Sequence, residues 1–197
     1  MIMDYLSDFE KVLINSGVDF VSNKVIDDYF LTGKPGVVRD VYKSCQENIA
    51  QRMVTLAEID DDDLSIHEPG AGHGVILKLI SGYRNHSYCE IENEFIKNYL
   101  LQISTNFETW NFLKNRKKYD RIIINPPFNF GQYKKHILHA WENLNSKGIL
   151  VFLYPKNSIY LTIQNRKFIE FLQGVVKEDV GSVCGLCECV IGKIVKP

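Results

Sequence analysis

Apolar residues recur every third or fourth position through the first part of the chain, a spacing that predicts amphipathic helices. Between Asp4 and about Ser16 the repeat is Tyr5, Phe9, Val12 and Leu13, with Gly17 as a stop. Val25, Ile26 and Tyr29 predict a second helix from Asn23 to Phe30, broken by Gly33-Lys34-Pro35-Gly36. Ile49, Met53, Leu56 and Ala57 predict a third from Gln46 to Glu58. After Leu64 the pattern changes. Short apolar runs, too brief for helices and rich in β-branched residues, predict strands at the run opening with Leu64-Ser65-Ile66, at His86–Glu92, Phe107–Trp110, Asp120–Ile124 and Ile149–Tyr154. Between them lie helical stretches at Val75–Ile80, from near Asn93, at Tyr133–Asn145 and at Arg166–Leu172, with Lys147-Gly148 as a turn. From Val175 to Val195 the pattern alternates around Gly181 and Gly185, which predicts two closing strands. Strands alternating with helices make an α/β domain with a mainly parallel sheet and an antiparallel closing hairpin. We assign residues 46–197 to this domain and 1–45 to an amino-terminal helical appendage, either a lid over the sheet or a surface for cofactor or substrate.

Composition narrows this picture. The 197 residues are 45% hydrophobic, which suits one domain with a full core. No apolar run is long enough to cross a bilayer, and Met1 to Glu10 lacks the basic start of a signal peptide. The expectation is a cytoplasmic protein with no membrane partner. The formal charge of −1 neither demands nor excludes a nucleic-acid partner, because a binder can carry a local basic face. Five cysteines in a chain with no export signal predict reduced thiols. Cys184 and Cys187 have the spacing of half a zinc site, but no second half lies nearby. Strand alternation instead places Cys187, Cys189 and Ile191 on one face, where a thiol serves as a small apolar side chain. Asp60 to Asp63 reads as a solvated turn, and no metal site is expected.

The chemistry centres on Asn125-Pro126-Pro127-Phe128, directly after the strand Asp120–Ile124. Proline has no N–H for a sheet, so the strand stops there, and each proline biases the preceding residue toward an extended backbone. A stiff segment therefore sits at the carboxyl end of a strand, the edge where open α/β sheets bind ligands. The Asn125 amide oxygen and the Pro126 carbonyl can each accept a hydrogen bond from one NH2 group, and Phe128 can stack on the ring bearing it. Upstream, Glu68-Pro69-Gly70-Ala71-Gly72-His73-Gly74 reads as a glycine turn between a strand and the helix Val75–Ile80. Glycines there let the backbone turn tightly and approach a ligand, and Glu68 can pair with a cationic amino group. The spacing of Gly70, Gly72 and Gly74 differs from the dinucleotide fingerprint, which argues against NAD. Glu90 falls about twenty residues beyond Gly70, where nucleotide folds place an acid for ribose hydroxyls. Glu92 is either a second ligand contact or an acid at a helix start. Lys114-Asn115-Arg116-Lys117-Lys118, and Lys134, Lys135 and His136, are either solvated charges or phosphate contacts.

In order along the chain, these motifs resemble those of class I S-adenosylmethionine-dependent methyltransferases, and Asn-Pro-Pro-Phe resembles the bacterial and phage N6-adenine DNA type. The resemblance spans roughly residues 46–155. It implies a Rossmann-like fold and S-adenosyl-L-methionine as cofactor. Glu68, Pro69, Gly70, Gly72 and Gly74 would lie under its methionine part, Glu90 and Ile91 at its ribose, Asn111 and Phe112 at its adenine, and Asn125 beside it. It implies catalysis by Asn125, Pro126, Pro127 and Phe128, which would orient N6 of a flipped-out adenine for direct attack on the sulfonium methyl. Two departures stand out: Asn111 replaces the usual Asp of Asp-Phe-Leu, and Cys45-Gln46 stands where Thr-Pro is frequent. DNA is the expected partner ahead of RNA, in a bacterial or phage-infected cell. The chain looks too short for a separate target-recognition domain. Alternatives are N6-adenine methylation of RNA, glutamine methylation of a protein (where Tyr is more frequent than Phe128), and a binding module without turnover.

Overall fold

A computed structural model describes residues 46–90, 98–109, 111–128, 132–156, 166–183 and 187–197. The helices expected from Asp4 and Asn23, together with Ile91, Glu92, Trp110, Asn157, Ser158 and Cys184, lie outside the described residues. The described elements run α1 (Glu47–Leu56), β1 (Ile66–Pro69), α2 (Val75–Ile80), β2 (His86–Cys89), β3 (Phe107–Thr109), a 3-10 turn (Phe112–Lys114), β4 (Tyr119–Ile124), α3 (Gln132–Glu142), β5 (Leu144–Pro155), α4 (Arg166–Gln173), β6 (Val176–Val183) and β7 (Cys187–Val195). The seven strands form one sheet in the order β3-β2-β1-β4-β5-β7-β6. Strands β1 to β5 are parallel, and β7 runs antiparallel to both β5 and β6. Among the described residues, no helix is long and apolar enough to cross a membrane.

Period-two alternation divides the core between the two faces of the sheet. On one face Ile66, Ile123, Val151 and Leu153 pack against Ile49 and Met53 of α1 and Ile76, Leu77 and Ile80 of α2. On the other, Ile122, Ile124, Leu150, Phe152 and Tyr154 meet Tyr133, Ile137 and Ala140 of α3 and Phe168 and Leu172 of α4. Consecutive residues of β4 and β5 thus point to opposite faces, which is why their sequences read as unbroken apolar runs. Cys89 and Cys189 are buried, and no cluster of metal-ligating side chains occurs among the described residues. Asp60 to Asp63 are exposed, as expected of a solvated turn.

Two expectations need correction. The helix expected over Tyr133–Asn145 stops at Glu142, and β5 already starts at Leu144. The cause is a long-range contact: Asn143 is buried and its side-chain amide donates to the Asn115 carbonyl at 3.2 Å. The Lys147-Gly148 turn exists, but as a kink inside β5. The pairing jumps from Tyr119↔Leu144 to Arg121↔Ile149, and Lys147 has a φ of 63°.

Order along the sheet fixes where a ligand can sit. From β1 the chain steps outward through β2 to β3, then crosses back to β4 on the other side of β1. The connections leaving β1 and β4 therefore diverge, opening a crevice at the carboxyl ends of these two neighbours.

Candidate functional site at the strand crossover

The glycine turn forms one wall of the crevice. Gly70, Gly72 and Gly74 have φ of 92°, 51° and 69°, a region that L side chains rarely adopt. At Gly74 there is also no room, because a Cβ would meet Ile103 Cδ1 at 2.6 Å. The turn is tied to β2 by the Gly70 and Ala71 N–H groups, which donate to the Cys89 carbonyl at 2.9 and 3.0 Å. Gly72 N–H donates to Glu90 Oε2, so the acid at the tip of β2 already touches the turn.

Glu68 and Glu90 are 2% and 4% exposed, two carboxyl groups buried at the ends of adjacent strands. Burial pushes the Glu68 carboxyl well above its usual range, and the charge of Glu90 pushes it further; a hydrogen bond from the Leu77 N–H acts the other way. That bond caps the first turn of α2, where helix N–H groups lack internal partners. The Glu68 Oε2 atom is buried with no hydrogen-bond partner among the described residues. Such an atom calls for a donor. An unsatisfied carboxyl oxygen beside a Cβ-free turn, with a second acid one strand over, fits a ligand bearing a cationic amine and hydroxyl groups.

The Asn125 segment follows the carboxyl end of β4. Strand β1 pairs with β4 in the register Ile66↔Arg121 and His67↔Ile122. β1 ends at Pro69 and β4 at Ile124, so the glycine turn and the Asn125 segment leave the same edge of the sheet from neighbouring strands. Pro126 is buried, and Asn125, Pro127 and Phe128 are half-buried. Phe128 packs against both core clusters, so it lies where the two faces meet at the sheet edge. Its ring stands edge-on to Tyr133, at 6.2 Å between centroids and 82° between planes, and Tyr133 in turn abuts Phe168 at 5.7 Å. Tyr133 is thus the brace that sets the Phe128 ring. Its sequence signal was the helix start alone; nothing in the spacing shows that its ring would turn back onto Phe128.

Asn111 and Phe112 occupy different settings. Asn111 is exposed and its Oδ1 accepts the Leu113 N–H at 3.0 Å, capping the 3-10 turn. A carbonyl oxygen has two lone pairs, so one acceptor direction remains. Phe112 is buried in the second-face core, 5.8 Å from the His67 ring and 4.9 Å from the His139 ring. Beneath it lies a polar cluster absent from the sequence reading. His67 Nδ1 bonds Ser87 Oγ at 2.8 Å, its Nε2 lies 3.2 Å from Cys89 Sγ, and its ring stacks on Tyr119 at 4.2 Å. Burial and the charge of Lys117 push the His67 imidazole down to about 3, while burial pushes the Cys89 thiol up to about 12. Both are neutral packing groups rather than reactive ones.

No protein-family model and no curated protein matches the chain. Solved structures do. The N-methyltransferase NodS of Bradyrhizobium japonicum WM9 is 11% identical, with a TM-score of 0.56 over 75% of this chain and 94% of that one. An RNA methyltransferase of Salinibacter ruber, solved with S-adenosyl-L-homocysteine, is 12% identical, with a TM-score of 0.55 over 79% and 94%. An rRNA methylase of Streptococcus thermophilus is 13% identical, with a TM-score of 0.53 over 79% and 99%. At such identities the likeness is one of fold. The seven-stranded, mostly parallel sheet with its antiparallel closing strands is the Rossmann-like fold of these methyltransferases.

Proposed function

We propose that this chain is an S-adenosylmethionine-dependent methyltransferase acting on N6 of adenine in DNA. The observation that supports the reading is the parallel pairing of β1 with β4, whose carboxyl ends lead into the glycine turn and into Asn125-Pro126-Pro127-Phe128. An amine clamp and a site suited to a cationic ligand thereby share one rim. Bound S-adenosylmethionine supplies an electrophilic methyl group on a sulfonium. Glu68 would hold its amino group, Glu90 its ribose, and Gly70, Gly72 and Gly74 would give its backbone-like part room.

The rest is work of this chain's own side chains. Asn125 Oδ1 and the Pro126 carbonyl accept the two hydrogens of the adenine amine, which fixes the nitrogen and leaves its electron pair directed away from them. Pro126 and Pro127 hold that carbonyl still, because proline fixes φ. Phe128, braced by Tyr133, stacks on the purine. Duplex DNA hides the amine in the base stack, so the target base is extruded before it enters the clamp. Two of the similar structures act on RNA or rRNA by name, which favours adenine in structured RNA as the second reading.

The test is Asn125→Ala. Calorimetric binding of the cofactor should stay near the parent value, while transfer of methyl to adenine falls on the order of 100-fold or more. Undiminished transfer by the variant would remove Asn125 from the reaction.

A further inference from the structure

We propose that the flank built from the 3-10 turn Phe112–Lys114, the segment 115–118 and the outward side of α3 binds the phosphodiester backbone of the DNA substrate, with Arg116 as its central contact. The choice of DNA rests on the adenine-methylating reading, and the assay below lets the surface and that reading fail separately.

The first observation is how Arg116 is held. Its Nη1 donates to the carbonyls of Leu113 and Asn115, both at 2.9 Å, while the residue stays exposed. One nitrogen of the guanidinium is thereby held against the backbone, with His139 Nε2 3.5 Å away, while the residue as a whole remains exposed. A planar, oriented guanidinium suits phosphate oxygens. Among the described residues, Arg116 is the one arginine with no carboxylate partner. Arg52 pairs with Glu178, Arg84 with Asp63, Arg121 with Asp60 and Arg166 with Glu170.

The second observation is that the ledge beneath Arg116 is rigid. The Asn115 carbonyl also accepts from His139 Nε2 at 2.9 Å and from Asn143 Nδ2 at 3.2 Å. The Asn115 side chain donates to Tyr119 Oη at 2.8 Å and accepts the Lys117 N–H at 2.9 Å. Phe112 clamps the turn to α3 through His136 at 6.4 Å and His139 at 4.9 Å. Two basic segments far apart in sequence are thus locked side by side where the end of α3 meets the amino end of β4, while Tyr133, at the start of the same helix, meets Phe128 of the Asn125 segment.

The third observation is charge. The chain as a whole carries −1, yet Lys114, Arg116, Lys117, Lys118 and Lys135 are all exposed on or beside this flank. Two acids belong to it. Glu108 pairs with Lys117, and Glu142, at the far end, lies 3.9 Å from His139. Among the described residues, no carboxylate forms an ion pair with Lys114, Arg116, Lys118 or Lys135. The eleven residues of α3 give the flank a length of about 16 Å. That matches several phosphates of one strand, each about 3.4 Å further along the duplex axis.

The test is fluorescence anisotropy with a short labelled DNA duplex and an RNA of the same sequence, over a salt series. It uses the full chain, Arg116→Gln, and Lys114→Gln combined with Lys135→Gln. The double variant removes no hydrogen bond found here, so it guards against a folding defect in the first. Each lost phosphate contact should flatten the slope of log affinity against log salt by about 0.9 on duplex DNA. Arg116→Gln should weaken binding about tenfold at low salt, with cofactor calorimetry unchanged, and Arg116→Lys should restore part of it. Unchanged slopes in both variants overturn the proposal. A loss on RNA with none on DNA supports the surface and overturns the choice of DNA. Flattened slopes in a protein that methylates no adenine leave the surface standing and remove the catalytic reading.

Discussion

His67 and Glu68 are consecutive in β1 and both almost wholly buried, and burial favours the neutral form of each. Their effects on stability run in opposite directions. The native pKa of His67 is depressed, so its contribution is complete above the unfolded value of about 6.5 and is lost as pH falls toward 3. The native pKa of Glu68 is raised, so its contribution is complete below the unfolded value and is lost as pH rises through the native one. Glu68 has a further consequence for the proposed cofactor. A carboxyl biased toward its protonated form must give up that proton to pair with an ammonium group, so cofactor uptake should release protons. Calorimetry in two buffers of different ionisation enthalpy measures this directly, and Glu68→Gln should abolish the difference between them. Heats independent of buffer in the parent protein would show that Glu68 is already ionised.

At the level of elements, β7 was legible as a closing strand, but the role of one glycine in it was not. Gly192 lies opposite Phe152 in the β5–β7 register, and a Cβ there would come within 2.4 Å of the Phe152 ring. The glycine leaves the space that this buried ring fills. Gly192→Ala should destabilise the fold by about 1–3 kcal/mol, read by denaturant unfolding, without changing cofactor affinity. A variant as stable as the parent would show that Phe152 can move aside. Strands β1 and β4 were legible because their apolar runs end at proline or glycine, a local signal. The early end of α3 and the kink in β5 were not, because they depend on non-local bonds: Asn143 to Asn115, and the Lys147 N–H to the Lys196 carbonyl at 2.9 Å. The place of Phe112 in the core follows from facing His67 and His139, which no spacing reveals.

For the whole molecule, the order of the strands does most of the arranging. Placing β4 next to β1 brings segments more than fifty residues apart, Glu68–Gly74 and Asn125–Phe128, to one crevice. The sequence announced both segments but could not say that they leave neighbouring strands at one edge of the sheet; only the crossover decides that. Carboxyl groups gather at the glycine turn and exposed cations on the α3 flank, so a cationic small ligand and a polyanion would approach from different sides. The measurement that bears most directly on this arrangement is incubation with tritium-methyl-labelled S-adenosylmethionine and DNA, RNA and protein in parallel, followed by digestion and identification of the labelled product. The expected product is N6-methyldeoxyadenosine from the DNA sample. Label on a glutamine side chain, or no label in any of the three, would contradict the assignment.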